Sequence, residues 1–487
     1  DDQNRVVKNP QMPPQLRGND FGRLLHLQRE HRVAEGSAQQ CRGDARSNCA
    51  GHSRRTALKV GACGLLNLSL ADLLRHRAQA QGPSRDKSVI LLWLDGGPSQ
   101  LESYDPKPEA PAEYRGPWTA ISSKVPGIHL TEKFPLQAAH TDKMAIVRSL
   151  HHNNGDHFAA AHWMLTGKYG SNAASKDSKF PSIGSYVSRI RGPVTGGMPT
   201  YVGLPAAESV YIYPGYQGAA YLGPAYNPFD VQPQQKYLSA TYSAPIKPPT
   251  LLSSIKDDST DRTSDRVHLL SRLDTVRREI DRTGMMESMD EFQQQAVHMV
   301  LSGKARDALD IEQEDATTRD RYGRGPWGHY TLLARRLVEA GVGFVTVDMP
   351  HWDNHSRIEK GHGDKIPKVD QAVSALLTDL TDRGLLDDVI VLVMGEFGRT
   401  PRLNNGQPGI PIPGRDHWGN AISAMIAGGG IRGGQVVGAT NDKAEHPIER
   451  PLEPANLLAT VYHLLGIDPA MTFPNHAGRP IAILDER

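Results

Sequence analysis

Cysteine is almost missing from this chain of 487 residues, and that scarcity excludes several kinds of chemistry. The three cysteines, Cys41, Cys49 and Cys63, all lie near the N-terminus. The rest of the chain therefore cannot use a cysteine nucleophile, a thiolate metal ligand or a disulfide. No G-x-S-x-G motif occurs either, which disfavours a serine hydrolase built around a nucleophile elbow.

An excess of charge of either sign is missing as well. Lysine and arginine number 55, aspartate and glutamate 54, and the net charge is +1, so nothing in the composition indicates a nucleic-acid partner. No apolar run is long enough for a stable membrane span. Glycine (47) and proline (35) are abundant, which favours a loop-rich enzyme over a helical bundle.

The first 82 residues have the features of an export leader. Residues 1–50 are polar and lack a periodic apolar pattern, which predicts disorder. The segment SRRTALK (53–59) precedes a modestly apolar stretch (60–70) and an A-x-A site (78–80), a pattern typical of a twin-arginine signal. We therefore expect the twin-arginine machinery as a partner and a periplasmic or extracellular location. A basic surface helix is the alternative.

The remainder, residues 83–487, alternates between strand and helix patterns. Apolar runs predict buried strands at 88–94, 143–150, 343–347, 389–394 and 421–427. Helical spacing is found at 265–310, 330–340, 369–383 and 453–465. This alternation predicts an α/β domain with a mainly parallel central sheet sandwiched by helices. Residues 170–264, in which tyrosines alternate with proline and glycine, are predicted to form an irregular insertion, either a substrate-facing rim or a packed segment.

Polar residues that suit metal binding follow several of these strands. Asp95 comes directly after the first strand, His157 ends a histidine cluster after the second, and Asp353 and His355 follow the third. Ligands bind at the carboxyl ends of strands in open α/β sheets. Alternate side chains of an extended segment share a face, so Asp353 and His355 can be aimed at one point. For Asp95, an ordinary Asp-Gly turn is the alternative.

The stretch GEFGRTPRLNNGQPGIPIPGRDHW (395–418) carries the strongest signal. It begins at the end of the strand at 389–394 and supplies Glu396, Arg399, Asp416 and His417. Oxygen and imidazole ligands together suit zinc, manganese or iron better than a purely structural calcium. The alternative is a polar loop with a structural ion pair.

Several motifs together resemble a bacterial family catalogued as domain of unknown function 1501. They are LDGGPSQLESYDPKP (94–108), YGRGPWGHYTLLARRLVEAGVGFV (322–345), HWDNHS (351–356), GEFGRTP (395–401), GRDHW (414–418) and AGGGIRGGQVVGATND (427–442). That family looks like a branch of the alkaline phosphatase and sulfatase superfamily, whose members use a two-metal site on a parallel α/β sheet. The resemblance implies an alkaline-phosphatase-like fold and a metal site made by Asp95, Asp353, His355, Glu396, Asp416 and His417.

Two departures from the superfamily pattern stand out. No C/S-x-P-S-R sulfatase signature is present, and Phe397 lies where a metal-binding histidine would be expected. The second departure weakens the expectation of one of the two metal sites.

The function implied is an exported metal-dependent hydrolase of phosphate or sulfate esters, with a small molecule or a polysaccharide as the substrate. Zinc, manganese or calcium would be the ion. Ser99 or a water molecule would be the nucleophile, Arg399 would hold a non-bridging ester oxygen, and His157 would bind substrate. The alternative is a non-catalytic carbohydrate- or surface-binding protein that retains the fold.

Overall fold

The computed structural model describes residues 87–170, 179–192, 197–207, 217–232 and 303–485. All of them belong to one unit, residues 83–485. The predicted leader and most of the predicted helix at 265–310 lie outside the described residues. In the described part of the chain, no helix is long and apolar enough to cross a membrane.

Sixteen strands and ten α-helices make up the described chain. The strands are β1 Ser88–Trp93, β2 Ala120–Ser122, β3 His129–Thr131, β4 Met144–Leu150, β5 Tyr201–Leu204, β6 Phe229–Asp230, β7 Phe344–Asp348, β8 Val389–Met394, β9 Gly398–Arg399, β10 His417–Trp418, β11 Ile422–Gly428, β12 Gln435–Val437, β13 Ala439–Thr440, β14 Pro447–Glu449, β15 Thr472–Pro474 and β16 Pro480–Ala482. The helices are α1 Ala112–Arg115, α2 Pro135–Ala138, α3 His157–Thr166, α4 Ile183–Arg191, α5 Lys304–Leu309, α6 Ala316–Tyr322, α7 Pro326–Glu339, α8 Ile358–Gly363, α9 Ile366–Asp382 and α10 Pro454–Leu464.

Eight strands form the central sheet, in the order β12-β4-β11-β8-β1-β7-β5-β6. β1 pairs in parallel with both β7 and β8, so the carboxyl ends of these three strands meet at one edge. β11 runs antiparallel to both of its neighbours, β4 and β8. The prediction of a mainly parallel sheet is therefore confirmed, with one antiparallel strand inside it.

Helices cover both faces of this sheet. As a result, strand β1 is buried on both of its faces. Ile90 and Leu92 lie in one apolar cluster, which also contains Leu333 of α7 and Leu376 of α9. Val89, Leu91 and Trp93 point the other way, into a cluster with residues of α3, α4 and α10. This two-residue alternation is what a strand between two helical layers requires.

The segment predicted as an irregular insertion is not wholly irregular. Its described parts contain helix α4 and strand β5, and β5 extends the central sheet by pairing in parallel with β7. β5 has only four residues, one of them a glycine, so its apolar pattern is too short to be recognised in the sequence.

Candidate metal centre

Three histidines and one aspartate converge at the carboxyl edge of the sheet. Asp353 and His355 lie in the loop after β7, and His157 is the first residue of α3. His417 is in β10, where it pairs directly with Arg399 of β9. The four side chains are between 11% and 25% exposed, so the cluster is shielded from solvent yet open to a ligand.

The three imidazole Nε2 atoms all face the carboxylate of Asp353. Its Oδ1 is 3.0 Å from the Nε2 atoms of His355 and His417. Its Oδ2 is 3.4 Å from Nε2 of His157. The Nε2 atoms of His355 and His417 are themselves 2.9 Å apart. His157, Asp353 and His417 offer ligand atoms that all lie within 4.8 Å of one another.

Each of the three imidazoles has its other nitrogen, Nδ1, held by an oxygen that can only accept a hydrogen bond. Nδ1 of His157 is 2.7 Å from Oε1 of Glu396. Nδ1 of His355 is 2.6 Å from Oδ1 of Asp416, and Nδ1 of His417 is 2.7 Å from the carbonyl oxygen of Gly155. Each Nδ1 must therefore carry the hydrogen and donate it, which leaves every Nε2 of a neutral ring as an acceptor.

This arrangement fits a divalent cation. Three nitrogen acceptors that face one carboxylate repel it unless a positive charge lies between them. Zinc binds imidazole nitrogen at about 2.0–2.1 Å, and a tetrahedron of that size has edges of about 3.3 Å. The 2.9 Å between the Nε2 atoms of His355 and His417, and the 3.0 and 3.4 Å between the Asp353 oxygens and the three Nε2 atoms, are close to that value.

The pKa values of these groups reflect the same concentration of negative charge. Burial opposes protonation of His157, but Asp353 and Glu396 outweigh it and raise the pKa of His157 to about 9. The hydrogen bond with Asp353 also raises the pKa of His355, against the effect of burial. Burial alone would raise the pKa of Asp353, yet the three histidines and Arg399 hold it well below its usual range. The shifts of both histidines show that the cluster favours a positive charge.

Arg399 anchors Asp353 rather than facing solvent. Its guanidinium donates to Oδ1 of Asp353 at 2.7 Å and to the carbonyl oxygens of Gly97, Trp352, Arg415 and Gly96. The side chain is fully buried. These contacts make Arg399 a positioning residue, and they leave it no exposed surface with which to hold an ester oxygen.

Phe397 forms an apolar wall beside the histidines. The centroid of its ring is 4.5 Å from that of His417 and 4.9 Å from that of His157. A Cβ atom on Gly97, which has φ of 75°, would come within 2.4 Å of the Phe397 ring, so this position requires glycine. The place where the superfamily pattern expects a metal-binding histidine is thus filled by tight apolar packing.

The predicted metal ligands occupy two kinds of position. Asp353, His355 and His417 face the centre, whereas Glu396 and Asp416 hold the Nδ1 atoms of the histidines that do so. The Glu396 carboxylate also accepts the backbone N–H of Gly96 at 2.9 Å. Such outer carboxylates fix the tautomer and the orientation of metal-binding histidines. His157, predicted to bind substrate, directs its Nε2 towards Asp353.

Asp95 and Ser99 are buried in the loop that follows β1. Oδ1 of Asp95 accepts a hydrogen bond from Nε1 of Trp93 at 3.2 Å, and Asp95 is not in the group of ligand atoms described above. The hydroxyl of Ser99 donates to Glu102, whose carboxylate also binds Arg415 at 2.7 Å. The Ser99 hydroxyl is therefore directed to Glu102.

Three participants in the surrounding network escaped prediction from sequence. Glu102 and Arg415 form a buried ion pair beneath the Ser99 loop, and buried His362 accepts the backbone N–H of Ser99 at 3.1 Å. Burial holds the pKa of His362 well below its usual value, so the ring is neutral. Glu102 and Arg415 lie within conspicuous motifs of the sequence, but nothing local indicates that residues 313 positions apart form a pair.

Comparisons with known proteins found a matching family and several structural neighbours. A sequence profile of the family described as "Protein of unknown function (DUF1501)" matches residues 86–487. Comparison with curated proteins gives no match.

Among solved structures, the phosphonate monoester hydrolase of Agrobacterium radiobacter is similar, with a TM-score of 0.38 and 12% identity over 80% of this chain and 75% of that one. The PsFucS1 sulfatase from Pseudoalteromonas sp. has a TM-score of 0.34 and 13% identity over 82% of this chain and 71% of that one. The lipoteichoic acid synthase LtaP from Listeria monocytogenes has a TM-score of 0.34 and 12% identity over 83% and 76%.

Proposed function

The chain belongs to the DUF1501 family of proteins, and we propose that it is a metal-dependent hydrolase of phosphate or sulfate esters. The observation that carries this proposal is the convergence of three Nε2 acceptors on one carboxylate, with every Nδ1 held by an oxygen acceptor. His157, Asp353, His355 and His417 would hold the ion. A bound ion of this kind supplies a Lewis acid for an ester oxygen and lowers the pKa of water to about 7.

The outer contacts support this assignment because they prepare the ligands in advance. Glu396 and Asp416 keep two imidazoles in the tautomer that presents Nε2 inward. Arg399 fixes the carboxylate of Asp353 from behind. In hydrolases, ligands held in place before the ion arrives cost no reorganisation during the reaction.

A single ion is proposed rather than two. Among the residues that the structure describes, one group of three or more metal-ligating side chains is found, and it contains His157, Asp353 and His417. Phe397 packs where the resemblance leads one to expect another histidine. Asp95 is not in that group, and the buried hydroxyl of Ser99 donates to Glu102.

Water is the better supported nucleophile. The Ser99 side chain is fully buried and donates its hydrogen bond to Glu102, away from solvent. For Ser99 to attack an ester, its loop would have to open and break the hydrogen bond between the Ser99 backbone N–H and His362. A water molecule can reach the partly exposed histidines without such a change.

The proposal is tested by metal analysis followed by assays. We expect about one zinc or manganese ion per full-length chain, with calcium as the third candidate, and removal of the ion by a chelator to abolish hydrolysis. Phosphomonoester, phosphodiester and sulfate-ester substrates are then compared, with His417→Ala as the inactive control. A chain that holds less than one ion, and that zinc and manganese fail to stabilise against unfolding, contradicts the hydrolase. A chain that holds its ion without turnover on any ester supports the alternative, a non-catalytic binding protein with the same fold.

We also propose export to the periplasm or the cell exterior by the twin-arginine route. The support is the SRRTALK segment, which precedes an apolar stretch and an A-x-A site. A reporter fused after residues 1–82 should be exported from the cytoplasm. Replacing Arg54 and Arg55 by lysine should keep the reporter in the cytoplasm. Export of the lysine variant at the normal level would exclude this route.

A further inference from the structure

A groove of about 530 Å³ is lined partly by residues of the loops that lead to His355 and His417, and the proposed hydrolysis does not use it. Its lining includes Trp118, Lys133, Arg357, Glu359, Lys360 and Ile412. A volume of this size is within the range of small-ligand sites in proteins, about 300–1,000 Å³. The groove is therefore large enough for one or two sugar units.

Two of the three cations that line the groove form no ion pair among the described residues. Lys360 is paired with Asp364 at 3.0 Å. Lys133 and Arg357, by contrast, form no ion pair with any residue in the part of the chain that the structure describes. Lys133 lies over the ring of Trp118, with Nζ 5.5 Å from the ring centroid. Two cations without carboxylate partners beside an indole ring suit an anionic ligand that also has an apolar face.

The same walls argue against a densely charged polymer. Glu359 lines the groove and would repel closely spaced anionic groups, but it can accept hydrogen bonds from hydroxyl groups. Ile412 is 45% exposed and continues the apolar surface of Trp118. Hydroxyls, an apolar ring face and widely spaced negative charges occur together in anionic polysaccharides.

The groove is continuous with the loops that carry the metal centre. Arg357 follows His355 by two residues, and its backbone N–H donates to the carbonyl oxygen of Ile412 at 3.2 Å. Asn404 donates to the carbonyl oxygen of His355 and to the carboxylate of Asp416, which ties the two loops together. Arg357 has φ of 54°, a conformation that is uncommon for residues other than glycine.

We propose that this groove is a binding subsite for an anionic polysaccharide, and that it holds the sugar units flanking the ester that the metal centre cleaves. The identity of the ester rests on the proposed function, whereas binding in the groove does not need catalysis. The subsite would make a polymeric substrate bind more tightly than a small ester that reaches only the metal centre.

The test is titration calorimetry of the full-length protein with a sparsely sulfated dextran (dextran sulfate below), unsulfated dextran and polyglutamate. We expect dextran sulfate to bind, and Lys133→Gln and Trp118→Ala each to weaken it roughly tenfold. Lys443→Gln is the matched control, since Nζ of Lys443 also lies over an aromatic ring, 4.7 Å from the centroid of Tyr114, but outside the groove. His417→Ala should abolish turnover and leave this binding unchanged, which separates the subsite from the metal centre. Trp118→Phe retains an aromatic ring should the alanine variant fail to fold.

Equal affinity in all variants would overturn the subsite without affecting the proposed hydrolase. Equal weakening by Lys443→Gln would mean that dextran sulfate binds only through general charge, and would also overturn it. If polyglutamate binds as tightly as dextran sulfate and depends on the same residues, the groove recognises an acidic peptide instead of a sugar. Absence of ester turnover in the wild-type protein, with dextran sulfate binding that Lys133→Gln and Trp118→Ala still weaken, would contradict the hydrolase and leave the subsite standing.

Discussion

The Nε2 atoms of His355 and His417 lie 2.9 Å apart, although the Nδ1 atom of each ring is already committed to an oxygen acceptor. Two neutral imidazoles cannot face each other in this way without a proton or a metal ion between them. The cluster is therefore built around a positive charge, and this property can be tested without knowing the substrate.

The direct test removes a ligand. We expect Asp353→Ala and His417→Ala to weaken zinc binding by more than the roughly 10- to 100-fold typical of losing an outer partner. Competition with a chromogenic chelator measures the affinity. Asp142→Ala is the control, because Asp142 is an exposed aspartate that pairs with Lys124 on the surface. Wild-type affinity in both ligand variants would mean that the ion binds elsewhere.

Loss of an outer carboxylate should weaken zinc binding less than loss of a ligand does. Asp416→Ala removes the acceptor of the His355 Nδ1 hydrogen, so the ring is no longer held with Nε2 inward. We expect zinc affinity to fall roughly 10- to 100-fold, with the number of bound ions at saturation unchanged. A fall in that number would show instead that Asp416 is itself a ligand.

Ser99 can be distinguished from water as the nucleophile by one substitution. Ser99→Ala should leave turnover close to that of the wild type, because its buried hydroxyl donates to Glu102. Ser103→Ala is the matched control, since Ser103 is a buried serine in the same turn whose hydroxyl donates to the Ser99 carbonyl at 2.5 Å. If only Ser99→Ala loses turnover while metal content and melting temperature stay normal, the serine is the nucleophile.

The buried ion pair of Glu102 and Arg415 should make a large contribution to the free energy of unfolding. Both side chains are at most 1% exposed, and they approach to 2.7 Å. Glu102→Ala leaves the Arg415 guanidinium buried without its partner, which should lower the free energy of unfolding by about 3–5 kcal/mol. Urea denaturation measures this loss. The double variant Glu102→Leu, Arg415→Leu should be less destabilised than the sum of the single variants, and simple additivity would show that the two charges do not interact.

Asp370 predicts a pH dependence of stability. Burial raises its pKa to about 6, although the backbone N–H groups of Leu136 and Gln137 donate to it. The folded state thus binds this proton more tightly than the unfolded state, whose aspartate has a pKa near 3.8. Asp370 therefore contributes stability as pH falls from about 6 to 4 and loses that contribution as pH rises. The difference in unfolding free energy between wild type and Asp370→Asn should change over this window, and parallel curves would contradict it.

The fold could be predicted from sequence wherever burial leaves a local pattern. β8 and β1 are buried on both faces, so each is an unbroken apolar run. The direction of β11 could not be predicted, because an apolar run looks the same in a parallel and in an antiparallel strand. β5 was missed because its burial depends on pairing with β7, which is distant in sequence.

The site was predictable in outline for a related reason. Strand ends bring Asp353, His355 and His417 to one edge, and the rule that ligands bind there needs only the order of the strands. The division of roles was not predictable, because Glu396 and Asp416 differ from Asp353 only in which imidazole nitrogen they face. Which nitrogen a carboxylate faces depends on small differences in position between segments that are distant in the chain.

The separation of these segments also sets the order in which the protein can mature. His157 is bonded to Glu396, 239 residues later, and His417 reaches Asp353 across 64 residues. A growing chain that has not yet made β10 contains the first histidine but no complete site. The proposed ion should therefore bind late in biosynthesis. It can bind only after the ribosome has made the chain through β10 and the distant segments have folded together.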